Sequence, residues 1–335
     1  MAINFSAENA TSGRLILFFL VTLLAGCASA PQWPAPDSGA SRHTLPEQTV
    51  LEDVPFFPQE RYQCGPASLA MMLNSQGLDS DPEVLKELVF IPGREGSLQV
   101  EMVAGARSHG MLVYPLNGEL GSMLAEVAAG NPVLVMQNLR FGWWPQWHFA
   151  VVIGYDAEKR DLILHTDTRE RQPVALEVFA NTWGRADNWS VVILPPDQVP
   201  ATAKPLRFLQ SAHDLETTGR TTAAAIAYKT AETAWPEQPA AIMARGNLAW
   251  QLGKHTEATG HFLRTVHRFP EFAEGWNNLA FALEETSCPV NATEAARCAA
   301  SLAPERFGGS TLLNEKPGTS PKDCPALPEC PREAH

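Results

Sequence analysis

Cys64 is the residue of this 335-residue chain most clearly placed to attack a carbonyl carbon. The run from Val54 to Leu73 reads as an extended segment, a tight turn and then a helix. Pro66 suits the first helical turn and Gly77 is placed to end the helix. A thiol at a helix N-terminus faces unpaired backbone N–H groups and the positive end of the dipole, which favour the thiolate. A thiolate mechanism needs a base, and the base needs an orienting partner. His148 is the candidate base and Asp167 the candidate partner. The oxyanion formed by attack needs donors: the Cys64 backbone N–H is one, and the Gln59 side-chain amide the other, with Gln63 as a rival that sits beside the nucleophile and points away.

Those side chains need elements to carry them. Apolar periodicity predicts helices at 66–76, 81–89, 98–109 and 119–130, and strands at 132–137, 148–154, 161–165 and 189–194. Helices followed by strands point to an α+β fold with an antiparallel sheet packed on the nucleophile helix. The charged stretch Asp156–Asp161 is the expected turn of a hairpin. If the hairpin is symmetric about Ala157 and Glu158, His148 and Asp167 lie directly opposite on one face, with Cβ atoms about 4.5–5.5 Å apart. Asp167 is then expected to hold Nδ1–H and leave Nε2 for Cys64. A one-residue slip brings Thr166 or Thr168 opposite instead. His165, two residues deeper on the Asp167 face, reads as packing.

These residues carry a family resemblance. Gln59 through Cys64-Gly65-Pro66-Ala67-Ser68-Leu69, then His148-Phe149-Ala150-Val151-Val152-Ile153-Gly154-Tyr155-Asp156 and Asp167, resemble the bacteriocin-processing (double-glycine) cysteine peptidases, a papain-like family. The resemblance covers about 49–195. It implies a papain-like domain hydrolysing peptide amides through Cys64, His148, Asp167 and Gln59, with no cofactor and no metal. The chain departs from the pattern twice: Gln59 stands five residues before Cys64 where the family spaces six, and Thr168 follows Asp167 where Pro is expected. The phosphate-cradling loop of transporter-linked members is absent, so the chain resembles a stand-alone relative, and the double-glycine leader substrate does not follow. Trp143, Trp144 and Trp147 just ahead of His148 read either as an apolar wall over the acyl site or as core.

The second half repeats. Pro236, Pro270 and Pro304 are spaced by 34 residues, in phase with Ala224, Ala258 and Ala292, with Tyr228, Phe262 and Ala296, and with Ala231, Thr265 and Ala299. Gly246 and Ala280 hold equivalent small positions. The pattern resembles the tetratricopeptide repeat, in three copies at about 205–238, 239–272 and 273–306. It implies an all-α array that binds substrate or a protein partner, or serves as a spacer. The tail from 307 to 335, rich in proline, is expected to be irregular.

Ahead of both, residues 1–27 read as a signal peptide ending in Leu24-Ala25-Gly26-Cys27, which resembles the bacterial lipobox; an uncleaved anchor is the alternative. Cys27 is the expected lipidation site, and Ala28 resembles signals sorted to the outer membrane. Residues 28–48 read as a tether. The expected setting is the periplasmic side of the outer membrane, with the lipid anchor as the membrane contact and no second span. A net charge of −12 offers no basic stripe for nucleic acid. In an oxidising compartment Cys288, Cys298, Cys324 and Cys330 are expected to pair, as Cys288–Cys298 and Cys324–Cys330 or in either other arrangement; a zinc site is the lesser option without a Cys-x-x-Cys pair. The domain order is therefore signal 1–27, tether 28–48, papain-like domain 49–198, repeats 205–306 and tail 307–335. The function expected is an anchored cysteine peptidase. The alternatives are an inactive peptidase-fold receptor and an acyl-transferring, transpeptidase-like enzyme.

Overall fold

The computed structural model describes residues 31–34, 45–59, 63–313, 319 and 321–331. The signal 1–27 with Cys27, most of the tether and the segment 60–62 lie outside the described residues.

β1 is Gln48–Val50, and α1, Cys64–Asn74, follows the Gln63 cap. From Gly65 to Leu73 every residue of α1 is buried, because the sequence is apolar on all sides and the helix runs through the core. It ends as the sequence suggests: Gly77 has φ +79°, and its N–H donates to the Asn74 carbonyl at 2.9 Å. α2 is Pro82–Val89, capped by the Asp81 carboxylate on the Glu83 N–H; α3 is Gln99–Ser108. Then come β2 (Leu112–Pro115), α4 (Leu120–Ala128), β3 (Val133–Asn138), β4 (Trp147–Asp156), β5 (Asp161–Thr166), β6 (Arg169–Ala175), α5 (Leu176–Gly184) and β7 (Ser190–Leu194). β1, β2, β6 and α5 were not anticipated. β6 reads as loop because its residues are mostly polar and exposed, as suits the edge of a sheet.

The described strands form one antiparallel sheet in the order β2-β7-β3-β4-β5-β6, with β1 also paired to β4. Leu69, Met71 and Met72 of α1 share a core with Phe149, Val151 and Ile153 of β4 and Leu134 and Met136 of β3. The nucleophile helix is thereby packed on the strand that carries His148.

The β4–β5 hairpin corrects the expected register. Asp156 faces Asp161 across a turn of Ala157–Arg160, held by the Asp156 carboxylate accepting from the Lys159 N–H at 3.0 Å. The turn is therefore centred one residue later than symmetry about Ala157 and Glu158 requires. A bulge between Val152 and Gly154 then shifts the pairing back by one residue, short of the expected register, and the ladder ends at Val151 with His165. His148 is paired across β3, with Gln137, and Asp167 is not opposite it.

Beyond β7 lie three helical hairpins: α6 (Pro205–Thr217) with α7 (Thr221–Ala234), α8 (Pro239–Gln251) with α9 (His255–Arg268), and α10 (Ala273–Glu285) with α11 (Pro289–Leu302). Each begins at the residue the 34-residue phase predicts. A Cβ on Gly246 would fall 2.3 Å from the Phe262 ring, so the small residue is what lets α8 and α9 close. A single turn, α12 (Pro304–Phe307), ends the array.

The disulfides are Cys288–Cys324 and Cys298–Cys330, a correction to the pairing of sequence neighbours. Cys288 caps α11 and Cys298 lies ten residues along it. About 15 Å of helix separates them, beyond the reach of one bond. The described tail residues 321–331 are fastened to α11 at two points instead, Cys324 at its start and Cys330 further along it. All four sulfurs are consumed, which leaves no zinc site among them.

Candidate active site

Cys64 is the first residue of α1, and Gln63 gives the helix no side-chain cap. Gln63 is turned outward, its amide donating to Glu83 Oε1 at 2.9 Å. The N–H groups of the first turn therefore face the nucleophile. The sulfur is held by the backbone of Phe149, Gly65 and Cys64 itself, each of which stabilises the thiolate. Burial outweighs them, and the thiol is pushed above its ordinary value. The helix N-terminus was expected to lower it; desolvation by the packed walls reverses that direction.

Gly65 is fixed by the same packing. A Cβ there would sit 2.2 Å from Ser97 Oγ. Ser97 belongs to the facing wall of the cleft, and its hydroxyl is buried without a hydrogen-bond partner among the described residues.

His148 lies at the start of β4, half-buried. Its Nε2 is 2.7 Å from Thr166 Oγ1, at the end of β5. The ring is thus held at Nε2, the reverse of the expected arrangement, and Nδ1 is the nitrogen left for the cleft. Desolvation lowers the imidazole to about 4, against a smaller opposing pull from the Asp167 charge.

Asp167 follows Thr166 at φ +54°, in the turn between β5 and β6. Its exposed carboxylate is 3.6 Å from Arg169 Nη2. Its backbone does something the sequence did not disclose. The Asp167 N–H donates to Gln59 Oε1 at 3.1 Å, and the Gln59 N–H donates to the Asp167 carbonyl at 2.8 Å. Gln59 Nε2 also donates to Ser68 Oγ on α1 at 3.1 Å. The amide, only 4% exposed, keeps one N–H for another acceptor. His165 is structural, with Nε2 3.1 Å from the Val54 carbonyl and Nδ1 accepting from the Arg171 N–H.

Gln59, Cys64, His148 and Asp167 line one cleft of about 1190 Å³. Its walls include Arg94 to Leu98 on one side and Arg140 with Trp144 to Trp147 on the other. A second recess of about 490 Å³ continues past His148 and Asp167 toward Thr166 and Gln172. The tryptophans are not core: Trp143 is 80% exposed, Trp144 60% and Trp147 50%. Phe141 stacks on Trp143 at 5.7 Å, and the Arg140 guanidinium lies 5.3 Å over Trp144. Sequence reasoning missed the orienting contact of Thr166, which it named only as a slipped partner, and missed Ser68 and Ser97.

Comparison with known proteins agrees with this architecture. Residues 51–191 match the family model described as the Peptidase_C39 like family, and residues 209–271 and 243–305 match the tetratricopeptide repeat. The chain thus carries a C39-like peptidase-family domain followed by tetratricopeptide repeats. Among solved structures it is similar to a putative C39-like peptidase from Bacillus anthracis, at 19% identity and a TM-score of 0.38, over 44% of this chain and 98% of that one. It is also similar to the peptidase domain of Streptococcus ComA, a bi-functional ABC transporter involved in a quorum-sensing pathway. That match has 18% identity and a TM-score of 0.34, over 42% of this chain and 98% of that one. No curated protein matches.

Proposed function

We propose that this protein is a cysteine peptidase cleaving within polypeptides, with Cys64 as nucleophile and His148 as base. The observation that carries the reading is the convergence of Cys64, His148 and Gln59 on one cleft at the N-terminus of α1. His148 Nδ1 takes the thiol proton as sulfur bonds to the carbonyl carbon. The oxyanion is held by the Cys64 N–H and the spare Gln59 N–H. His148 returns the proton to the leaving amine as the C–N bond breaks, leaving a thioester. Water, deprotonated by His148, releases the acid. The recess beyond His148 gives chain room on both sides of the scissile bond, which suits internal cleavage. Cys64→Ala is expected to abolish hydrolysis of a peptide library and to remove iodoacetamide labelling at that peptide; unchanged hydrolysis by the variant contradicts the reading.

A receptor reading is favoured by one observation: desolvation leaves the thiol and the imidazole both neutral at pH 7. It predicts peptide binding without turnover. The repeats supply a second surface for substrate or a partner. We further propose that Cys27 carries lipid and holds the protein at the cell envelope; the two disulfides support an oxidising compartment. Cys27→Ser should release the protein from the membrane fraction and end fatty-acid labelling. Among the described residues no helix is long and apolar enough to cross a membrane.

A further inference from the structure

Asp167 is the residue expected to orient the base, yet its carboxylate points to Arg169 while a neutral hydroxyl occupies the ring nitrogen. The Asp167 backbone, by contrast, is bonded twice to Gln59. We propose that the β5–β6 turn divides the support of the reaction between consecutive residues: the Thr166 hydroxyl positions His148, and the Asp167 backbone positions the oxyanion donor Gln59. The proposal deepens the peptidase reading and rests on it for its kinetic consequences.

The physical argument follows from what each group offers. Thr166 Oγ1 has two lone pairs and one proton. As acceptor of Nε2–H it fixes the tautomer with the lone pair on Nδ1, which is the form able to take the Cys64 proton. It accepts the same N–H when the ring is protonated, so the orientation persists through the cycle. Unlike a carboxylate, it adds no negative charge to stabilise the imidazolium. The left-handed conformation at Asp167 then turns the chain so that this one residue donates its N–H to Oε1 and accepts from the Gln59 N–H at its carbonyl, while Ser68 takes one hydrogen of Nε2. The amide orientation is thereby fixed without using the Asp167 carboxylate. The late-centred β4–β5 turn produces this division: it moves Asp167 off its place opposite His148, the bulge between Val152 and Gly154 recovers only one residue of that shift, and Thr166 is left in reach of the ring.

The test compares Thr166→Val, Thr166→Ser and Asp167→Asn by two readouts. In the first, nitrogen spectra of the histidine-labelled full chain report the tautomer of His148, assigned by its loss in His148→Ala. The wild type is expected to show Nε2–H, Thr166→Ser to keep it, and Thr166→Val to shift to a mixture. In the second, Thr166→Val is expected to lower kcat by about tenfold or more with KM nearly unchanged, as for loss of a hydrogen bond that orients the base. Thr166→Ser restores most of the rate, and Asp167→Asn costs less than Thr166→Val because its backbone bonds remain. A wild-type spectrum unaltered in Thr166→Val, or a tautomer change caused by Asp167→Asn alone, overturns the proposal. If the wild type neither cleaves peptide nor is labelled at Cys64, the peptidase reading falls, and the spectra still decide what holds the ring.

Discussion

At the scale of single residues, the protonation states of Cys64 and His148 set the pH behaviour. Burial holds His148 down to about 4 and pushes Cys64 up, so near neutrality the pair is a thiol and a free imidazole. Proton transfer then accompanies attack. With the base active only when unprotonated, kcat/KM should be flat from about pH 5 to about pH 8 and fall on the acid side with a midpoint near 4. An acid limb centred near the ordinary histidine value of about 6.5 contradicts this environment. Gly65 yields a second prediction. Its missing side chain admits Ser97 beside the nucleophile, so Gly65→Ala forces the two walls apart; a loss of roughly 1–3 kcal/mol in stability and of Cys64 reactivity is expected by thermal melting and alkylation rate. Cys64 was legible because helix-start chemistry is local: Pro66, the apolar run to Leu73 and Gly77 all act within the same few turns. Thr166 was not, because its role depends on a pairing made across two strands.

At the scale of elements, the hairpin shows what a sequence conceals. Continuous apolar runs disclose β4 and β5, and the charged stretch discloses their turn. Nothing in the charged stretch marks where its turn centres, and a turn centred one residue late was enough to displace Asp167 from His148, the bulge at Gly154 recovering only part of the shift. β6 escaped for a different reason: an exposed edge strand buries too little to impose a pattern. The aromatic loop between β3 and β4 was visible as composition, while its exposure was not. Trp144 and Trp147 line the cleft and Phe141 and Trp143 extend beyond it. Such an apolar rim, left open to water, favours apolar substrate side chains. Trp144→Ala is expected to raise KM several-fold for substrates with large apolar residues, on the order of 1 kcal/mol, and to leave kcat for small polar peptides nearly unchanged. Steady-state kinetics on paired substrates checks this; an equal effect on both removes the loop from recognition.

At the scale of the whole molecule, the two halves are joined by a built connection. Glu126 of α4 is fully buried and accepts from the Ala201 N–H, the Thr202 N–H, the Thr202 hydroxyl and the Asn131 amide. The Tyr114 hydroxyl accepts from the Lys204 N–H at 3.0 Å, and Arg107 pairs with Asp214 of α6. The repeats are therefore held at a fixed attitude to the peptidase-like domain. Glu126→Ala orphans these donors at a cost of roughly 1–3 kcal/mol each, and limited proteolysis should open the segment 195–204 in the variant while sparing the wild type. The three repeats were fully legible, since a 34-residue phase needs only nearest-neighbour packing. The disulfides were not, since their pairing depends on where an irregular tail returns. Reduction should lower the melting temperature of the helical array, each bond being worth about 4 kcal/mol for loops of this length. Burial also lowers His148, His165 and His261. The unfolded chain then binds protons near pH 6.5 that the folded chain refuses, so stability should be level above that pH and fall toward pH 4 in denaturant titrations.

The most direct trial of the central claim is the stoichiometry of inactivation. Under non-reducing conditions Cys64 is the free cysteine among the described residues. Alkylation followed by intact and peptide mass spectrometry, in parallel with peptide hydrolysis, should show one label per chain on Cys64 and activity lost in proportion to it. Hydrolysis that persists at full labelling of Cys64 contradicts the account.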